Sequence, residues 1–119
     1  MKIADELIDI IKSNYLEKVF FNLDDISEYL VNDDGDYIFE TDEECYEYLS
    51  KLGLENFEQL EYVSNTYEMY CIIHFKNENI YLKLIGKYDS YGKYEHDYEC
   101  GIKEVFPKQV LETKYVTNE

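Results

Sequence analysis

The chain opens with Ile3, Leu7, Ile10 and Ile11 at helical spacing, Asn14 in the same row and Asp5, Glu6, Asp9 and Lys12 on the other side. That arrangement predicts an amphipathic helix ending near Lys18. Val19, Phe20 and Phe21 follow as an apolar hinge that should sink into the core. Asn22 stands where an N-cap belongs, and Ile26, Tyr29 and Leu30 form a short stripe, which predicts a second helix from about Leu23 to Val31. Asn32, Asp33, Asp34, Gly35 and Asp36 supply the local hydrogen bonds and positive φ of a tight reversal, and Tyr37 to Phe39 reads as a brief strand. Thr41 and Glu44 then make a capping box, Cys45, Tyr48, Leu49 and Leu52 a buried stripe, and Gly53 a C-terminal glycine. Both ends of this third helix are written in the sequence.

From Leu60 onward the period changes to two. Between Tyr67 and Phe75, Tyr67, Met69, Cys71, Ile73 and Phe75 point one way and Tyr70, Ile72 and His74 the other; Asn77, Glu78 and Asn79 turn the chain, and Ile80 to Ile85 returns with Ile80, Leu82 and Leu84 on one face. Gly86 to Gly92 reads as the next reversal and Tyr98 to Phe106 as another strand, with Pro107 placing an edge or strand end there. A last strand runs from about Val110 to Val116, while Leu54 to Gln59 fits a short helix or a loop equally well. The order defines an α+β domain: three N-terminal helices packed on one face of a C-terminal antiparallel sheet of about four strands. Residues 1–119 read as a single domain, long enough to bury one core without metal or disulfide staples.

Charge changes the picture more than composition does. The net charge is −16, and it is uneven: residues 1–61 hold eighteen acids and four lysines, residues 62–119 nine acids and seven lysines. Within that, Asp24, Asp25, Glu28, Asp33, Asp34, Asp36, Glu40, Asp42, Glu43, Glu44 and Glu47 occur without an intervening Lys, Arg or His. Solvated helix faces normally mix signs, because Glu and Lys four apart stabilise each other by roughly 0.2–0.5 kcal/mol and like charges cost about as much. Crowded acid raises the self-repulsion that a positively charged partner would relieve. Tyr46, beside Cys45 and off the buried stripe, is the candidate aromatic anchor among these acids, since tyrosine is enriched at interfaces. With no arginine in the chain and this much acid, direct nucleic-acid binding is not expected.

Positive signs of catalysis are missing from the residues. His74 and His96 lack partners at ligand spacing, and the three cysteines, Cys45, Cys71 and Cys100, are scattered outside any C-x-x-C pattern, as in a reducing compartment. The Asp-rich reversal invites a calcium reading, but Leu30 stands where the loop needs its first acid and Thr41 where it needs the bidentate Glu. No cofactor and no metal are therefore expected, and the protein is read as a non-enzyme. The first residues have no signal-peptide core and no run is long enough to span a bilayer, so the expectation is a cytoplasmic protein that does not engage membrane.

The turn Gly86-Lys87-Tyr88-Asp89-Ser90-Tyr91-Gly92, followed by Val105-Phe106-Pro107-Lys108, resembles the C-terminal part of short proteins encoded by bacteriophages and mobile elements. The overall design, a small, acidic, lysine-only α+β domain, is similar to phage anti-CRISPR and other DNA-mimic inhibitors. Members of that class share charge rather than sequence, so the resemblance implies a partner and not a set of positions: a basic nucleic-acid-binding host-defence protein, such as a Cas effector or nuclease, whose groove the acids occupy. Two other readings stand beside it. One is an immunity protein neutralising a nuclease toxin, and the other a small-ligand protein or enzyme using the Tyr-rich sheet face around Tyr70, His74 and Tyr81, for which a closed pocket would be the sign.

Overall fold

The computed structural model describes residues 3–32, 34–65, 68–89 and 95–108. The elements run α1 (Ala4–Ser13), α2 (Glu17–Phe21), a 3-10 turn (Leu23–Asp25), α3 (Ile26–Tyr29), α4 (Asp42–Lys51), then β1 (Phe57–Ser64), β2 (Met69–Phe75), β3 (Ile80–Asp89) and β4 (Glu95–Val105). The strands form one antiparallel sheet in the order β1-β2-β3-β4, so helices come first, the sheet second, and the α+β class holds. Along β2, Met69, Cys71, Ile73 and Phe75 are buried, and Ile80, Leu82 and Leu84 of β3 join them under the helices in one cluster reaching back to Ala4.

Two helix ends share one hydrogen-bond motif, and only one of them carries glycine. At the end of α4, Gly53 N–H donates to Ser50 O (2.9 Å) and Leu54 N–H to Leu49 O (2.9 Å), with Gly53 at φ 91°. This paired closure satisfies carbonyls that the last turn leaves open. At the end of α1 the same pair is made by Tyr15 N–H to Lys12 O (3.3 Å) and Leu16 N–H to Ile11 O (3.0 Å), with Tyr15 at φ 53°. The expected helix to Lys18 therefore breaks at Asn14, and the chain restarts as α2. Ile11 and Leu16, the apolar residues at the two ends of the motif, are both fully buried, which offsets the cost of a tyrosine in left-handed backbone.

Two asparagine side chains close helices here. Asn14, placed on the apolar stripe by spacing, is the C-cap of α1, its side-chain N–H donating to Ile10 O at 2.8 Å. Asn22 stands at the N-cap of the 3-10 turn as expected, but its side chain makes no cap bond there and instead closes α2, donating to Lys18 O at 2.7 Å. The helix expected over Leu23 to Val31 is accordingly a 3-10 turn and a single α-turn, and Val19, Phe20 and Phe21 are buried as expected but helical. Tyr37 to Phe39 contributes one isolated bridge, Val31 to Tyr37.

The sheet differs from expectation at both ends. Phe57–Ser64, covering half of the segment read as helix or loop, is an edge strand with a bulge between Gln59 and Glu61. Gly86 is not in a reversal but inside β3, at a register shift between Ile85 and Lys87, and β3 and β4 continue together as far as Asp89 and Glu95. The strand expected at Val110 to Val116 lies outside the described residues. β4 ends at Val105, two residues before Pro107.

Relieving the left-handed tyrosine should help the fold. Tyr15 is 71% exposed, so Tyr15→Gly loses little packing and is expected to stabilise by about 0.5–1 kcal/mol in urea denaturation, the left-handed penalty outweighing glycine's entropy cost. Phe20→Ala, by contrast, should cost about 3–5 kcal/mol. A destabilising Tyr15→Gly would show that its side chain, not its backbone, sets this helix end.

Candidate protein-interaction surface

Every described member of the acidic run is exposed: Asp24 and Asp25 on the 3-10 turn, Glu28 on α3, Asp34 and Asp36 on the reversal, Glu40 before α4, and Asp42, Glu43, Glu44 and Glu47 on α4. Asp33 lies outside the described residues. Cys45 and Leu49 define the inner side of α4, so its 3.6-residue period turns Glu43 and Glu47 outward, flanked by Asp42 and Tyr46 on one side and Glu44 on the other.

One hydrogen bond ties the two middle helical segments together. Ser27 N–H donates to Asp42 Oδ1 at 3.3 Å, joining α3 to the first turn of α4. Tyr46, 43% exposed, has its ring 6.0 Å from that of Phe57, and burial followed by the charges of Asp42 and Asp24 pushes its phenol above the ordinary range. Glu28 and Glu40 line one cleft with Tyr37 and Phe39, of about 310 Å³. Asp24 and Asp25 line a second, of about 250 Å³, with Phe21 and Tyr62. On the reversal, the Asn32 side-chain oxygen accepts the N–H groups of Asp34 and Asp36 at 2.9 and 3.0 Å.

Part of this acid has a local reason. Asp42, Glu43 and Glu44 occupy the first turn of α4, where Thr41 Oγ1 accepts the Glu44 N–H at 3.3 Å and the open N–H groups favour negative charge by about 0.3–1 kcal/mol each. Glu40 and Glu47 fall outside that turn. Among the described residues Glu58 pairs with Lys76 Nζ (3.5 Å) and lies 3.9 Å from His74 Nδ1, and no lysine pairs with a carboxylate between Asp24 and Glu47. Nor do any three His, Cys, Asp or Glu side chains among the described residues converge as metal ligands would.

The opposite side of the sheet carries Tyr70, His74 and Tyr81 together with residues of β1. Because β1 was not read as a strand, the Glu58, Leu60 and Glu61 side of the open face went unrecognised. Around Tyr70, His74 and Tyr81 the structure has a polar, aromatic lattice: Tyr70 hydroxyl donates to Glu61 Oε1 (2.8 Å), Lys83 Nζ lies 4.3 Å from the Tyr70 ring centre, and His74 stacks on Tyr81 at 4.1 Å. The Glu61 hydrogen bond is the chief cause of a raised Tyr70 phenol. Two hollows flank this lattice, a groove of about 290 Å³ running from Leu60 and Ile72 past Tyr81 to Val105 and Phe106, and one of about 190 Å³ beside Tyr70 and Lys83, both open rather than closed over a ligand.

Comparison of the chain with protein-family models, curated proteins and solved structures finds no match. Among the described residues no helix is long and apolar enough to cross a membrane.

The cysteine thiols carry a prediction of their own. Burial pushes Cys71 from 9.0 up to about 12, and burial with the charges of Asp42 and Glu44 raises Cys45. In a Cys100→Ser variant at pH 8 both thiols should react with a disulfide reagent on the order of a hundredfold slower than in the denaturant-unfolded chain. Because the folded thiol of Cys71 holds its proton longer than the unfolded one, stability should fall as pH rises from about 9 toward 12. A rapid native reaction of either thiol would contradict this assignment.

Proposed function

We propose that the chain is a non-catalytic protein inhibitor of the anti-CRISPR or DNA-mimic kind, presenting the acids of Asp24 to Glu47 to the basic nucleic-acid groove of a host-defence protein. The observation that carries this reading is the run of exposed carboxylates that no described lysine neutralises. Helical neighbours three and four apart stand about 5–6 Å from each other at Cβ, a spacing comparable with successive phosphates of a nucleic-acid strand. Carboxylates meet the Lys and Arg side chains that otherwise hold phosphate, giving fast, salt-sensitive association. Exposed Tyr37, Ile38 and Tyr46 interrupt the acid and supply apolar contact area, which charge alone does not. An immunity protein against a nuclease toxin uses the same physics; the identity of the captured protein separates the two.

The test is an affinity capture from host lysate at low and at high salt with the parent chain and the Glu43→Lys, Glu47→Lys double variant. A basic nucleic-acid-handling protein recovered at low salt only, and lost by at least about tenfold in affinity with the double variant, is the expected result. Thermal unfolding should remain cooperative in the variant. Equal capture by parent and variant would remove the acidic surface from the binding site.

A further inference from the structure

The open face of the sheet presents an arrangement unlike the helical side. Register places Glu61 opposite Ile72, Ile72 opposite Lys83, and Lys83 opposite Lys103, so that one row across the four strands reads Glu, Ile, Lys, Lys. Directly opposed residues of antiparallel strands share a face, and like charges in that position destabilise the pair. Neither lysine has an ion-pair partner among the described residues of a chain with net charge −16; Lys83 rests over the Tyr70 ring at 4.3 Å, and Lys103 is exposed. The acid in their own row, Glu61, stands two strands from Lys83 and three from Lys103, roughly 10 and 14 Å away at about 4.8 Å per strand.

We infer that a second copy of this chain docks on this face, forming a symmetric sheet-on-sheet dimer. With the two-fold axis parallel to the strands, between β2 and β3, each β1 lies over the partner's β4 and each β2 over the partner's β3. Glu61 then meets Lys103 across the interface, twice by symmetry, as opposite charges, while Ile72 lies along the aliphatic stem of Lys83. A neighbouring row supports the same axis: Val63, Tyr70, Ile85 and Gly101 are in register, and Val63 falls over Gly101, where a side chain would meet nothing within 4 Å. Face-to-face sheets pack about 10 Å apart and close to aligned, which leaves both acid-bearing helical layers on the outside. The dimer thus does not depend on the acidic surface, and would display two of them.

Four strands about 4.8 Å apart and about seven residues long offer roughly 450 Å² per copy, less than the roughly 800 Å² of a standard interface, so the association is a weak one. Sedimentation equilibrium of the full chain from about 10 to 500 µM at about 0.15 M salt, where charges beyond about 8 Å are screened, reads it directly. The wild type should show a reversible monomer–dimer equilibrium. Glu61→Lys and Lys103→Glu should each weaken it at least about tenfold, and the double exchange should restore it to within about threefold, with circular dichroism unchanged throughout. A chain that stays monomeric over this range, whatever other molecule occupies the face, overturns the inference. So does a dimer indifferent to the single changes, or one that the double exchange fails to rescue.

Discussion

Phe20 is the point at which the helical layer is fastened to the sheet. Its ring, fully buried, meets Phe57 of β1 edge-on at 5.1 Å and Phe75 of β2 at 5.9 Å. Its carbonyl, near the end of a five-residue helix with no following turn to use it, accepts the Gln59 side-chain N–H at 3.1 Å and faces the Cys71 thiol at 3.8 Å. Apolar packing and a satisfied buried acceptor coincide at one residue. The placement of α2, and through it of the 3-10 turn that carries Asp24 and Asp25, follows from that contact.

The same arrangement separates charge. The acid-rich half supplies the helices and their outer surface, while the sheet face turned away from the described helices takes lysines on β3 and β4 and acids on β1. Repulsion among the carboxylates is tolerated because they point into water, where exposed charges interact weakly. The helix N-terminus at Asp42 offsets part of it. What remains is a surface whose free energy falls when a cation-bearing partner arrives, the physical basis of the proposed inhibition.

Legibility followed how strictly each segment obeyed one local rule. Helix α4 was readable at both ends because Thr41 and Gly53 are the residues its caps require, and β2 and β3 because Met69 to Phe75 and Ile80 to Leu84 alternate cleanly. α1 was over-extended because a tyrosine holds the position that glycine marks in α4. β1 was missed because its bulge shifts the alternation, and because its helix-facing side carries Gln59, which is there to bond Phe20 O rather than to fill the core. The acids and Tyr46 were legible as exposed residues. Their assembly through Ser27 and Asp42 was not, since that contact spans fifteen positions and no short-range pattern reports it.

The central claim is that the described carboxylates of Asp24 to Glu47 face solvent without partners among the described lysines. Zero-length carbodiimide coupling, followed by peptide mass spectrometry, tests this at residue level because it joins only acids and amines already in contact. The expected result is an abundant Glu58–Lys76 link, matching their 3.5 Å approach, and no intramolecular link from Lys12, Lys18, Lys51, Lys76, Lys83, Lys87, Lys103 or Lys108 into the acidic run. Efficient coupling of these lysines to Glu40, Glu43 or Glu47 within a single chain would contradict it.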